Sequence, residues 1–159
     1  MAKKITVITG SRAEWGLLAP LCSKMQTLGL QVNVLVTGSH LHTVGGSSAD
    51  EVRAAGLPVV EVPIIPAGSD TDDQKRMLQT IGTAFPALAA ALHRLNPDLC
   101  LLLGDRYEIF AAAAVCRLVG IRLAHISGGE LTVAAFDDCL RHCITKLSDL
   151  HFAATEEYR

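Results

Sequence analysis

Short apolar runs that end in polar, glycine-containing turns recur along this chain. Ile5–Thr9 leads into Gly10-Ser11-Arg12, Leu99–Leu103 into Gly104-Asp105-Arg106, and Leu123–Ile126 into Ser127-Gly128-Gly129-Glu130. Runs this short and this continuously apolar suit strands buried on both faces, the pattern of a parallel sheet covered by helices. In such a sheet ligands collect outside the carboxyl ends of the strands, where glycine admits close backbone approach and the next helix offers free N–H groups. Three ends carrying Arg, Asp and Glu therefore read as one wall of a site.

Between these strands the sequence alternates. Trp15–Leu28 is an amphipathic helix stopped by Gly29, Gln31–Thr37 a second strand, and 38–48 a loop rich in His, Gly and Ser before a helix over Ala49–Ala55 closed by Gly56. Leu57–Pro63 reads as a strand near an edge, because Pro58 and Pro63 cannot donate ladder hydrogen bonds. After a polar stretch at 66–73, Gln74–Leu95 forms a long helix that Pro86 is expected to kink or divide. Tyr107–Val119, closed by Gly120, and Asp137–Ser148 are helices, Leu150–Ala154 is a last strand, and Thr155–Arg159 resembles the start of another helix. The expected fold class is α/β, a Rossmann-like parallel sheet of about six strands with helices on both faces and right-handed crossovers. It occupies residues 1–159 as one domain.

Composition narrows the partners. Half of the 159 residues are hydrophobic, and the mean hydropathy of +0.33 fits a two-sided sheet core. No run approaches the ~18 consecutive apolar residues of a membrane span, and Met1-Ala2-Lys3-Lys4 enters a strand without a signal-peptide core, so a cytoplasmic protein is expected. With 14 basic and 16 acidic residues and a net charge of −2, no field favours nucleic acid or anionic membrane. The five cysteines, Cys22, Cys100, Cys116, Cys139 and Cys143, form no Cys-x-x-Cys pair and are expected as reduced thiols acting as small hydrophobes. No His/Cys cluster has zinc spacing, and neither a metal nor a cofactor is expected.

The first turn matches neither G-x-G-x-x-G nor a Walker A loop. Gly10 permits a tight turn, Ser11 caps the helix or binds a ligand, and Arg12 either reaches a phosphate or carboxylate or is simply exposed. Asp105, between an apolar strand end and a helix start, can serve as an acid/base, a positioning group or a cap. Further on, Glu130, Asp137, Asp138, Arg141 and His142 crowd together, the acid–base mix that proton abstraction and donation in one pocket require. On the helix from Asp137, Leu140, Cys143, Ile144 and Leu147 are the expected buried stripe, and Asp137–Arg141 and Asp138–His142 are i, i+4 pairs.

Taken as a set, Gly10-Ser11-Arg12-Ala13-Glu14, Val36-Thr37-Gly38-Ser39-His40-Leu41, Gly104-Asp105-Arg106-Tyr107-Glu108, Gly128-Gly129-Glu130 and Arg141-His142-Cys143-Ile144-Thr145-Lys146 resemble hydrolysing UDP-N-acetylglucosamine 2-epimerases. The branch that makes N-acetylmannosamine for sialic acid capsules is the most similar. The resemblance implies the first of two Rossmann-like domains in a glycosyltransferase-B arrangement, the second, nucleotide-binding domain lying outside this chain. It implies elimination of UDP from UDP-N-acetylglucosamine, hydration of the glycal-like intermediate, and a homodimer. By motif position Asp105 and the Asp137/Asp138 pair match catalytic carboxylates and Arg12 a residue near the diphosphate. Gly10, Ser11, Arg106, Arg141 and His142 join Arg12 as substrate-binding candidates. Where many relatives carry a catalytic Glu after His-Ile, this chain has Ser127, and Glu130 is the nearest carboxylate. Gly45-Gly46 also stands where Phe-Gly or Tyr-Gly is expected, which leaves a UDP- or GDP-linked diacetamido sugar as an alternative substrate. A different reading is that the chain alone is an inactive binding or structural module.

Overall fold

The computed structural model describes residues 2–42, 48–66 and 74–159. Gly45-Gly46 and most of the polar 66–73 stretch lie outside the described residues. The strands are β1 (Lys4–Thr9), β2 (Gln31–Val36), β3 (Val59–Glu61), β4 (Leu99–Leu103), β5 (Leu123–Ile126) and β6 (Leu150–Phe152). The helices are α1 (Arg12–Thr27), α2 (Ala49–Arg53), α3 (Gln74–Leu95), α4 (Tyr107–Leu118) and α5 (Asp137–Leu147). Short 3-10 turns occupy Gly38–Leu41 and Glu156–Tyr158.

All pairings are parallel, in the order β3-β2-β1-β4-β5-β6. This is the Rossmann-like sheet expected from the apolar runs. Chain direction across the sheet reverses between β1 and β4, so their carboxyl ends splay a crevice between the loops that leave them. β3, with its flanking prolines, is an edge strand as expected, although its ladder is confined to three residues.

Alternation along the strands divides the core in two. Ile8, Leu35, Cys100, Leu102 and Leu123 face one way and pack with α3, α4 and Ile144 of α5. Val7, Val34, Val36, Leu101 and Ala124 face the other way and pack with Trp15, Leu18 and Cys22 of α1 and with α2. Ala111, Ala112 and Ala113 are fully buried, and side chains that small let α4 lie close to the sheet.

Three expectations need correction. Of the two outcomes expected at Pro86, a kink or a division, the division does not occur: α3 runs as one helix from Gln74 to Leu95. Burial of Ala84, Leu88, Ala91 and Leu92 against the sheet outweighs the one backbone bond that proline removes. Cys139 and Cys143 are exposed, so only Cys22, Cys100 and Cys116 act as buried small hydrophobes. The inward side of α5 is Ile144 together with Arg141, with Leu140 and Leu147 half-buried beside it.

Because Leu88 is fully buried on α3, Leu88→Ala is expected to cost about 2–5 kcal/mol in chemical denaturation. Leu17→Ala on the outer side of α1, where the side chain is 66% exposed, should stay within about 0.5 kcal/mol. Equal losses at both positions would contradict the division into core and surface.

Candidate active site

Two groups of polar side chains meet at the carboxyl end of the sheet, and the turn after β4 belongs to both. The first forms where β1, β2 and β4 end. Ser11 caps α1, its hydroxyl accepting from the Glu14 N–H at 3.4 Å. Glu14 turns back so that its Oε2 accepts the Gly10 N–H at 2.7 Å. The 3-10 turn at 38–41 closes over the same peptide, with Ser39 Oγ donating to the Gly10 carbonyl at 2.8 Å. Gly38 makes that approach feasible: its φ is +57°, and an added Cβ would lie 2.8 Å from the Gly10 oxygen. His40 is fully buried, 3.0 Å from Thr9 Oγ1 and 2.7 Å from Ser48 Oγ.

Arg106 and Glu108 complete this group. Glu108 is fully buried, and its Oε1 accepts from Arg106 Nε at 3.2 Å and Nη2 at 3.0 Å. Burial works against the Arg106 charge, but Glu108 more than compensates and holds the guanidinium above its ordinary value. Burial also raises the Glu14 carboxyl to about 7, against the opposing hydrogen bond from Gly10. His40 is pushed down by burial, toward its neutral form.

The second group joins β4, β5 and α5. Arg141, 8% exposed, donates through Nε at 3.1 Å and through Nη2 to Asp105 Oδ2. Its Nη1 donates to the Glu130 carbonyl at 2.9 Å and to Thr132 Oγ1 at 3.2 Å. Asp138 Oδ1 accepts the Thr132 N–H at 2.7 Å, and its Oδ2 lies 3.6 Å from His142 Nε2. The start of the loop that runs from Glu130 to Phe136 is thus tied to α5 through Arg141 and Asp138. Beneath it, His125 Nε2 donates to the Gly104 carbonyl at 2.8 Å, which leaves Nδ1 to accept from Thr145 Oγ1 at 3.1 Å. Burial pushes His125 down as well. Ser127 sits at φ +61° where β5 ends, a left-handed conformation that stores strain beside the site.

The structure brings Asp105, Arg141 and the Glu130 backbone into direct contact, and sets Asp138 and His142 on the same helix around them. Asp137 is half-buried at the start of α5. Asp105 does not cap α4: the N-cap is Arg106, without a side-chain cap, because the Asp105 carboxylate is drawn to Arg141. Arg12 points to the outer surface, paired with Glu51 at 2.7 Å, both side chains exposed. Four residues were missed as site candidates: Glu14, Glu108, His40 and His125. The Ser11-x-x-Glu14 spacing of a capping box was a readable signal for the first. The two buried histidines carry none, because their partners are distant in sequence. Beside the second group, Gly128, Gly129, Leu150, Phe152 and Tyr158 line an open cavity of about 850 Å³.

Glu14 makes the stability of the fold depend on pH. Its carboxyl keeps, up to about pH 7, a proton that the unfolded chain releases near 4.5, so stability falls as pH rises through that interval. Urea denaturation of wild type and Glu14→Gln across that interval is expected to show a difference that changes by up to about 3 kcal/mol. The lowered histidines act oppositely, costing stability as pH falls below their ordinary 6.5, but equally in both proteins. Parallel curves would mean that Glu14 ionises normally.

Residues 23–159 match the family model described as UDP-N-acetylglucosamine 2-epimerase. Over 99% of its length the chain is 39% identical to a Campylobacter jejuni protein named GDP/UDP-N,N'-diacetylbacillosamine 2-epimerase (hydrolyzing), of which it covers 40%. Over 98% of its length it is 32% identical to the UDP-N-acetylglucosamine 2-epimerase of Neisseria meningitidis, again covering 40%. The chain therefore spans about two fifths of the length of these relatives. The crystal structure of the Neisseria meningitidis UDP-GlcNAc 2-epimerase bound to UDP-GlcNAc has the same fold, with a TM-score of 0.78 at 21% identity over 98% of this chain and 41% of that one. With its strand order, its carboxyl-end cluster and a family match over residues 23–159, the chain belongs to the UDP-N-acetylglucosamine 2-epimerase family.

Proposed function

We propose that the protein carrying this chain is a hydrolysing sugar-nucleotide 2-epimerase. In this reading the chain is its first domain, and a second domain supplies the opposite wall of the cleft. The observation that carries the proposal is the Arg141–Asp105 pair, a carboxylate held at the end of β4 by the same guanidinium that binds the Glu130 carbonyl. The reaction removes the proton from C2 of UDP-N-acetylglucosamine while the C1–O bond breaks, so that the electron pair of the C2–H bond forms the C1–C2 double bond and UDP leaves as an anion. Water then adds, its hydroxyl at C1 and a proton at C2 on the opposite side, giving N-acetylmannosamine.

Both steps require carboxylates that give and take protons at a carbon, and a cation beside the leaving diphosphate. Asp105 and Glu130 are assigned to proton transfer at C2, with Asp137 and Asp138 assisting at C1. Among the described residues the Glu130 carboxylate has no hydrogen bond or ion pair, which suits a group that must reach a substrate. Gly10, Ser11 and Arg106 are assigned to the diphosphate, with Arg12 at the rim of the same turn. Arg141 orients Asp105, and His142 orients Asp138. The nucleotide sugar is the only partner assigned, with no cofactor, and we place the enzyme in the cytoplasm as a homodimer of the sialic acid branch.

A second substrate is favoured by the relatives named for it. The Campylobacter protein at 39% identity and a Legionella pneumophila protein at 34% are both called diacetylbacillosamine 2-epimerases. Offering the intact protein UDP-N-acetylglucosamine and the UDP- and GDP-linked diacetamido sugars separates the readings by which one releases nucleotide. In deuterated water the product is expected to carry deuterium at C2. Asp105→Asn and Glu130→Gln should each abolish that exchange while leaving the fold intact by circular dichroism. Full exchange in Glu130→Gln would move its role to another group, and no release from any of the three would overturn the reading. The 159-residue chain alone is expected to release none.

A further inference from the structure

Arg106 is half-exposed, yet it is held by a glutamate with no exposure at all. Glu108 Oε1 takes both Nε and Nη2 of the guanidinium, which leaves Nη1 without a hydrogen bond among the described residues. Glu108 itself is wedged: a Cβ on Gly38 would lie 3.1 Å from its Oε1, and one on Gly10 would lie 3.8 Å from its Cβ and 3.7 Å from Glu14 Oε2. Gly10 is thus flanked by both acids. The remaining oxygens, Glu108 Oε2 and Glu14 Oε1, are buried without a hydrogen-bond partner. Two buried acids with unsatisfied oxygens are a poor way to build a core, and the arrangement makes sense as a mount for a cation. A surface arginine without such a mount samples many rotamers and loses that freedom on binding an anion.

We propose that Glu108 is a positioning residue that aims Arg106 at the ligand diphosphate, with Glu14 tying the Gly10-Ser11 turn to the same mount. The proposal rests on the sugar-nucleotide reading for the identity of the anion, but not for the mount itself. Its charge also depends on Glu14. The groups that face Glu14 are Arg106 and Glu108 from the β4–α4 side, while His40 in the 3-10 turn is pushed toward its neutral form by burial and Arg12 on its own helix is turned to Glu51. As Glu14 ionises near pH 7, negative charge accumulates behind Arg106 and opposes an incoming anion.

The test uses the intact protein and UDP-N-acetylglucosamine. Glu108→Gln is expected to raise KM about 10–100-fold with kcat changed less than about threefold, and Glu108→Asp to recover part of the loss. In an Arg106→Ala background Glu108→Gln should add nothing, because its effect passes through the arginine. Wild-type KM should rise with pH through about 7, and that rise should be missing in Glu14→Gln. Independent multiplication of the Arg106 and Glu108 effects, or a loss confined to kcat, would overturn the proposal. The ¹⁵N resonance of Arg106 Nε provides a readout without ligand: slow exchange and a fixed shift are expected in wild type and fast averaging in Glu108→Gln. If that resonance already averages in wild type, the mount does not exist. If it is fixed while no UDP-sugar binds, the mount stands and the substrate reading fails.

Discussion

One guanidinium organises the half of the site that would do chemistry. Arg141 lies almost wholly inside the protein, and its N–H groups are spent on Asp105, the Glu130 carbonyl and the Thr132 hydroxyl. A buried charge of this kind is tolerable only while its partner is ionised and its other donors are satisfied. The adjoining 130–136 loop and α5 are therefore fixed to the β4 turn, distant in sequence, by a single side chain. Loss of one partner would leave a charge stranded, and the loop would lose the anchor that keeps Glu130 beside Asp105.

This long-range pairing also explains what could and could not be read from the amino-acid sequence. The ends of β4 and β5 were legible because two-sided burial forces continuous apolar runs, and the glycine turns that follow mark where burial stops. The inner side of α5 was not fully legible. Helical periodicity puts Cys143 in the apolar stripe and Arg141 off it, whereas Asp105, 36 residues away, draws the arginine in and Cys143 is exposed. Pro86 left a division of α3 open for a related reason, since local rules cannot weigh one lost backbone bond against the sheet contacts of a 22-residue helix. Arg12 shows the limit on the site: its place in a motif was plain, but its ion pair with Glu51 on α2 required the fold.

Burial assigns different tasks to chemically similar groups. Glu14 and Asp105 both follow strand ends by a few residues, yet burial raises the first to about 7 while the second is salt-bridged to Arg141. His40 and His125 are pushed toward the neutral form by the same desolvation. A neutral His125 can donate to the Gly104 carbonyl and accept from Thr145 at once, which a cationic ring cannot do. Desolvation here locks the hydrogen-bond direction that supports the β4 turn.

Gly104, Asp105 and Arg106 are consecutive, and each is committed to a different neighbour: the Gly104 carbonyl to His125 of β5, Asp105 to Arg141 of α5, and Arg106 to Glu108 of α4. Successive residues leave an extended backbone in opposite directions, so a turn that starts from a strand end can send a carboxylate to one side and a guanidinium to the other. In the proposed reaction, proton transfer at a sugar carbon and charge stabilisation at its leaving group would need such groups a short, fixed distance apart. Insertion of one residue ahead of Asp105 would displace its carboxylate from Arg141 of α5, whereas Arg106 and Glu108, two residues apart, would move together. The spacing of the two functions is therefore set by the covalent geometry of the chain, and the surrounding acids, histidine and arginine keep that geometry from relaxing.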